Sequence, residues 1–344
     1  MDTEEQNTIQ TESSTAITYE IDYRGLATFI ALLVIAGALA YGLSNRQQDT
    51  VSTLVVKENL APIEENAAPR IDPFANIKLI GKAAYVFDVA EQKPLFSYNE
   101  ETQLPLASLT KLMTAVTVSK YMDAGDTVTI DPRSLEKDGD SGLLAFEEWR
   151  LKDLLDYTLT VSSNDGAAAL AAAAGTAKIV RDSVGAQTPE QAFVDEMNAL
   201  AKQIGLSQTY FVNETGLDST TALSGGYGSA RDTAHLLEYI IANNPSIMEA
   251  TTYPSITVTS ESNFIHTATN TDDAVPNIPE LIASKTGYTD LAGGNLVIAF
   301  DAGVNHPIIV SVLGSTIDGR FSDVEQLVEA SLEQISGRVP RVTQ

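Results

Sequence analysis

The chain has 344 residues, 46 acidic against 21 basic, for a formal charge of −25, and no run of Lys or Arg forms a stripe that could neutralise phosphates, so nucleic-acid binding is not expected. It contains no cysteine, which removes disulfides, thiolate metal sites, iron–sulfur clusters and cysteine nucleophiles together. The three histidines, His235, His266 and His306, are widely separated and outside any HExxH pair, so a zinc hydrolase is not expected and no metal or organic cofactor is implied.

Residues 1–24 carry Asp2, Glu4, Glu5, Glu20 and Asp22 against Arg24, the composition of a solvated, disordered acidic tail. Residues 25–43, GLATFIALLVIAGALAYGL, run 19 residues without a charge. As a helix at about 1.5 Å per residue they would span about 28 Å, which fits a hydrocarbon core and predicts a transmembrane anchor. A cleaved signal peptide is the alternative, with Ala38-Leu39-Ala40 as its small-x-small site; the acidic flank and the length of the run speak against it. Residues 44–75, with Pro62, Pro69 and Pro73 and no sustained periodicity, read as a linker.

From residue 76 the texture is globular. Strands are predicted at 83–87 (AAYVF) and 94–98 (PLFSY), joined by the polar turn Asp88 to Lys93. A helix over Ser108 to Ala124 places Leu109, Leu112, Met113 and Val116 at helical spacing, with Gly125 as its cap. Leu151 to Leu159 and the Ala-rich Asp165 to Ala174 predict two more helices, the second stopped by Gly175. A further helix begins at Ser229-Ala230-Arg231-Asp232, where Arg231 is expected to pair with an acidic neighbour and His235 to pack beside Leu236 and Leu237. NLVIAF at 295–300 and PIIVSVL at 307–313 form a second hairpin, and Val324 to Ile335 closes the fold as an amphipathic helix before a tail over 337–344. Strands at both ends with helices between predict an α+β domain whose sheet joins the two ends of the region.

Three motifs point to one site. Ser108-Leu109-Thr110-Lys111 is an SxxK; on a helix, residues three apart share a face, which brings a hydroxyl nucleophile to an amine. Lys111 could act as the base only if burial or a neighbouring cation lowered its pKa. Ser162-Ser163-Asn164 is an SxN between two helices, and Lys285-Thr286-Gly287 is a KTG on a strand. Each motif alone is open to a bland reading, a helix cap or a surface lysine. Their order and contexts match the trio of penicillin-binding proteins and class A β-lactamases.

On these motifs, together with PLASLTKLMTA (105–115), SSNDGAAALA (162–171), TGLD (215–218), SARD (229–232), KTGYTDLAGGNLV (285–297) and VLGSTIDGRF (312–321), the chain resembles the serine D-alanyl-D-alanine carboxypeptidases, the low-molecular-mass penicillin-binding proteins of peptidase S11 type. The resemblance implies a DD-peptidase/β-lactamase-like fold over residues 76–336, an antiparallel sheet flanked by helices plus an all-helical lobe, with the site in the cleft between. It implies Ser108 as nucleophile, Lys111 as its base, Ser162 as proton relay and Asn164 as the group that holds Lys111 and the substrate amide. The oxyanion donors would be the backbone N–H groups of Ser108 and Tyr288. Lys285, Thr286 and Gly287 would line the substrate strand, Thr286 hydrogen-bonding the terminal carboxylate, and Arg320 would meet that carboxylate with its guanidinium.

The activity so implied is removal of the terminal D-alanine from peptidoglycan stem peptides, with β-lactams as covalent inhibitors. A DD-endopeptidase and a non-turnover β-lactam sensor are the alternatives. A β-lactamase is disfavoured, because no glutamate between SxN and KTG clearly matches the one that activates the deacylating water in class A enzymes. The segment Glu136 to Trp149 (with GDSGLLAFEEW) leaves the residues that choose the stem peptide unassigned. Arg24 and Arg46 flank the apolar run symmetrically, so charge is nearly silent on topology. Function decides instead: a cytoplasmic DD-peptidase would destroy wall precursors, so the N-terminus is expected inside and the catalytic domain outside the cell membrane.

Overall fold

A computed structural model of the protein describes residues 72–139, 141–182 and 187–337. The acidic tail, the apolar run 25–43, nearly all of the linker and the C-terminal tail beyond Gly337 lie outside the described residues. Among the described residues no helix is long and apolar enough to cross a membrane.

The sheet joins the two ends of the region, as the pattern predicts. Strands β1 (Ala83–Asp88) and β2 (Lys93–Tyr98) form the first hairpin. Short β3 (Leu104–Pro105) leads through a 3-10 turn, Ala107–Leu109, into helix α1 (Thr110–Ser119). Then come β4 (Thr127–Thr129), β5 (Glu148–Arg150), α2 (Leu151–Thr160), α3 (Asn164–Asp182) and α4 (Pro189–Gln203). Next are β6 (Tyr210–Phe211), β7 (Gly226–Gly228), α5 (Ala230–Asn243) and the hairpin β8 (Ser255–Thr259) and β9 (Ile265–Thr269). The chain ends with β10 (Leu281–Thr289), β11 (Gly293–Asp301), β12 (Pro307–Ser315) and α6 (Gly319–Ser336). The antiparallel main sheet has the order β10-β11-β12-β1-β2, leaving β10 as an edge.

Its central strands are buried on both faces, and the alternation of side chains sorts them into two cores. Tyr85, Phe87, Val297, Ala299 and Ile309 face the helices, where they share a core with Leu109, Leu112 and Met113; that lobe is not all-helical as the resemblance implies, since the β4–β5 pair and the β8–β9 hairpin belong to it. Val86, Ile298, Phe300, Val310 and Val312 face the opposite way and pack on Val324, Leu327 and Val328 of α6. Each fully buried side chain of this kind contributes about 1.5–3 kcal/mol. Helix α1 is buried from Thr110 to Val118, as a helix enclosed by neighbours on all sides must be. It therefore anchors its N-terminal turn, which packs against β10.

Three helix boundaries differ from the pattern, one of them the start of α6 at Gly319 rather than Val324. Helix α1 ends at Ser119 rather than Ala124, because the Asp126 carboxylate accepts from the Asp123 N–H at 2.8 Å and forms a local turn. Helix α3 runs through Gly175 to Asp182 instead of stopping there. A Cβ at Gly175 would lie 2.0 Å from the Pro189 carbonyl oxygen, so this glycine permits close packing against the start of α4. Arg231 pairs with Glu101 across the fold, and the His235 ring packs edge-on against Phe87 at 4.8 Å, as expected of both.

Candidate active site

Ser108 sits in the 3-10 turn that feeds α1, and the residue before it, Ala107, holds a left-handed φ of +49°. Such backbone costs a non-glycine residue about 1–3 kcal/mol and persists only where its surroundings enforce it. They do so here through Asn295, which is fully buried on β11 and donates from Nδ2 to the carbonyls of Pro105 and Leu106, both at 3.0 Å. Its Oδ1 accepts from the Gly314 N–H at 2.8 Å, where the register between β11 and β12 slips. Across the turn runs the KTG strand: a Cβ at Gly287 would lie 2.9 Å from the Leu106 carbonyl and 3.1 Å from the Ser108 nitrogen. The close approach that requires this glycine is thus made by the chain's own backbone.

Lys111 is 1% exposed. Its Nζ lies 2.8 Å from Ser108 Oγ, 2.7 Å from Asn164 Oδ1 and 2.9 Å from the Thr215 carbonyl. A neutral amine has two N–H donors and one lone pair. With the donors spent on Asn164 and Thr215, the lone pair faces the Ser108 hydroxyl. Burial holds the Lys111 pKa well below that of a free lysine, and the nearby Lys285 pushes it down further, with Glu214 opposing. Proximity suits proton transfer from the Ser108 hydroxyl to Lys111, and the lowering of the Lys111 pKa acts in the same direction.

The SxN turn carries the second strained residue, Ser162, with φ +60°. Asn164, which opens α3, bridges outward as well, its Nδ2 donating to the Asp138 carbonyl at 2.6 Å. Beside Ser162 and Asn164 lies a polar cleft of about 430 Å³, bounded also by Gly139, Ser141, Tyr157 and Thr267. Ser141 belongs to the segment whose substrate-facing residues the sequence left unassigned. Its Oγ hydrogen-bonds Ser163 Oγ at 2.6 Å. Glu147, further along that segment, is buried against His266 Nε2 at 2.7 Å, which ties the segment to the β8–β9 hairpin.

The opposite wall is the edge strand β10. An edge leaves backbone donors and acceptors unpaired by the sheet, available to an extended peptide. Lys285 is 1% exposed and donates to the Thr286 carbonyl at 3.0 Å. Burial lowers its pKa to about 7, helped by the neighbouring Arg320 and opposed by Asp272. Thr286 Oγ1 hydrogen-bonds Thr271 Oγ1 at 2.5 Å. Arg320, on α6, is 7% exposed and donates from Nη1 to the Gly287 carbonyl at 2.9 Å. Tyr288 is half exposed at the end of the motif. The structure thus gathers Ser108, Lys111 and Asn164 in direct contact, sets Ser162 on the adjoining cleft, and brings Lys285, Thr286, Gly287 and Arg320 together along one strand.

Sequence reasoning missed Asn295, Thr215 and Glu214. The signal for Asn295 was present: a lone amide opening an otherwise apolar run, NLVIAF. Thr215 opens the TGLD segment, but that segment does not reveal that its carbonyl meets Lys111, and no local pattern marks Glu214.

A family model described as D-alanyl-D-alanine carboxypeptidase matches residues 73–316. Curated relatives include D-alanyl-D-alanine carboxypeptidase DacF of Bacillus subtilis, 26% identical over 293 residues that cover 83% of this chain and 71% of the relative. A D-alanyl-D-alanine endopeptidase of Pseudomonas aeruginosa is 31% identical over 228 residues, 64% of this chain and 67% of the relative. Among solved structures, penicillin-binding protein D2 of Listeria monocytogenes in its ampicillin-bound form superposes with a TM-score of 0.61 at 29% identity, over 74% of this chain and 98% of that one. With the three motifs assembled on this α+β fold, the chain belongs to the peptidase S11 family of serine D-alanyl-D-alanine carboxypeptidases.

Proposed function

We propose that the protein is a membrane-anchored carboxypeptidase that removes the terminal D-alanine of peptidoglycan stem peptides through an acyl-enzyme on Ser108. The observation that carries this reading is the fully buried Lys111 amine 2.8 Å from Ser108 Oγ. Ser108 Oγ attacks the carbonyl carbon of the penultimate D-alanine while Lys111 takes its proton. The backbone N–H groups of Ser108 and Tyr288 receive the oxyanion, a contribution usually worth about 3–4 kcal/mol per donor. The C–N bond then breaks, and the leaving amine regains a proton by way of Ser162. Water hydrolyses the acyl-enzyme and restores Ser108. Lys285 and Arg320 supply positive charge for the substrate's terminal carboxylate, with Thr286 as a hydrogen-bond donor to it. β-Lactams acylate the same serine; the ampicillin-bound Listeria relative supports this part of the reading.

Cross-link cleavage is a second reading, favoured by the endopeptidase from Pseudomonas. The anchor rests on the uncharged run 25–43, with the catalytic domain on the outer side, where peptidoglycan is. The test is release of D-alanine from a stem pentapeptide, beside cleavage of a cross-linked dimer, by the full chain and by Ser108→Ala. The expected result is D-alanine release by the wild type, with both D-alanine release and a penicillin adduct in intact-protein mass spectrometry absent from the variant. D-alanine release by Ser108→Ala would overturn the reading, and exclusive cleavage of the dimer by the wild type would replace it with the second.

A further inference from the structure

A ring of contacts closes behind Lys111, on the side away from Ser108. One arm is Asn164, which accepts from Lys111 Nζ at 2.7 Å and donates to the Asp138 carbonyl at 2.6 Å. The other arm is Thr215, whose carbonyl accepts from Lys111 Nζ at 2.9 Å. The residues immediately before these two anchors, Lys137 and Glu214, form an ion pair at 2.9 Å. The Glu214 side chain is 4% exposed, that of Lys137 35%, so the lysine is the partly solvated lid on a buried carboxylate. Thr114 of α1 donates to the Glu214 carbonyl at 2.6 Å, which fixes that segment to the catalytic helix.

We propose that the Lys137–Glu214 ion pair is a positioning device for the catalytic base: it ties together the two segments that orient the Lys111 amine and neutralises a carboxylate buried behind it. The inference rests on the reading of Lys111 as the base. The groups facing Lys111 are Ser108 from its own turn, Asn164 from α3, Thr215 and Glu214 from the loop after β6, and Lys285 from β10, with Arg320 and Asp272 behind Lys285. Around Glu214 stand Lys137, Lys111 and, along the same indentation, Asp131, Arg133 and Glu190. Arg133 is engaged with Asp131 at 2.9 Å, which leaves Lys137 as the cation paired with Glu214.

The sign follows from charge. Without Lys137, the Glu214 carboxylate favours an ammonium on Lys111, so less base is present at a given pH and the acid limb of acylation moves up. Without the Glu214 charge the limb moves down. The experiment is the rate of acylation of the full chain by a fluorescent penicillin across the pH range, for wild type, Lys137→Met, Lys137→Arg, Glu214→Gln and the Lys137→Met/Glu214→Gln pair. Lys137→Met should raise the limb by about half a pH unit, about a threefold loss on the limb, while the rate recovers at higher pH. Lys137→Arg should hold the limb where the wild type has it. Glu214→Gln should lower it, and the pair should return towards wild type. Equal slowing of Lys137→Met at every pH, or an unmoved limb, would overturn the proposal. If Lys137→Met fails to fold, Glu214→Gln decides: a limb that does not move down overturns it. Failure of the underlying reading looks different, because Lys111→Arg would then acylate at near-wild-type rate whatever the Lys137 variants do.

Discussion

The site contains two lysines, Lys111 and Lys285, each 1% exposed, and they are held in opposite ways. Lys111 stands within hydrogen-bond distance of three oxygens, one of them on the nucleophile. Lys285 has one backbone acceptor, the carbonyl of the next residue, with Arg320 and Asp272 as its charged neighbours. Burial lowers both amines, so burial alone does not distinguish their roles; the arrangement of acceptors does. Two acceptors for N–H and a hydroxyl at the third position suit the base proposed for Lys111. A position on an edge strand beside the Arg320 cation suits the proposed attraction of Lys285 for an anionic substrate.

The sharpest way to break this comparison is to put arginine at each position. Guanidinium keeps the charge and does not deprotonate in proteins. Lys111→Arg should therefore lose acylation by at least about a hundredfold, the usual worth of a general base. Lys285→Arg keeps a cation at that position and should stay within about tenfold, the remaining loss reflecting a larger side chain in a packed site. Acylation by a fluorescent penicillin measures both. Equal losses would mean that the two lysines share one role.

Arg320 extends the cationic side of the comparison. A charge-assisted contact to the substrate's terminal carboxylate is worth about 1.5–3 kcal/mol, or about ten- to a hundredfold in kcat/KM. Arg320→Ala should slow a D-Ala-D-Ala free acid by that factor while barely changing the corresponding C-terminal amide. If acid and amide slow together, Arg320 serves by holding the Gly287 carbonyl rather than by reading the carboxylate.

The parts of the site that were legible in the sequence are those whose geometry is local. Ser108 and Lys111 are three residues apart at the start of a helix, so the spacing itself implies the contact, and strands such as 307–313 announce themselves by β-branched runs. Hairpin β8–β9 drew no prediction, although SITVT alternates Ile256 and Val258 with Ser and Thr; its partner strand IHTAT is weaker in that pattern, and both are half exposed. Gly175 misled because a glycine that stops a helix and one that admits a neighbouring chain are the same letter. Asn295 stands out as a lone amide before an apolar run, but its carbonyl partners lie 189 and 190 residues away, so the sequence does not say what it holds. Asn295→Ala strands the Gly314 N–H and removes a donor from the Pro105 and Leu106 carbonyls, of which Leu106 keeps the Leu109 N–H, for about 1–3 kcal/mol of stability. Urea unfolding should show that loss, and acylation should fall with it as the turn that carries Ser108 loosens.

The smallest expected effect separates the two lysines by pH. Lys285 has a folded pKa of about 7, so its cation is present below pH 7 and lost as pH rises through it. If the cation attracts the substrate's carboxylate, kcat/KM for a free-acid peptide should begin to fall near pH 7 and level off within about tenfold, because Arg320 stays charged and still meets the carboxylate. Bound carboxylate stabilises the ammonium and raises its pKa, so the matching limb in kcat should lie at higher pH. A C-terminal amide carries no such charge and should lack the limb, keeping the rise on the acid side that belongs to Lys111. Because Lys111 and Lys285 feel each other's charge, the two limbs report the pair rather than either group alone. Lys285→Arg resolves that coupling: its cation does not titrate, so the free-acid profile should lose its alkaline limb and come to match the amide. An alkaline limb near pH 7 that persists in Lys285→Arg would assign it to another group and remove Lys285 from carboxylate recognition.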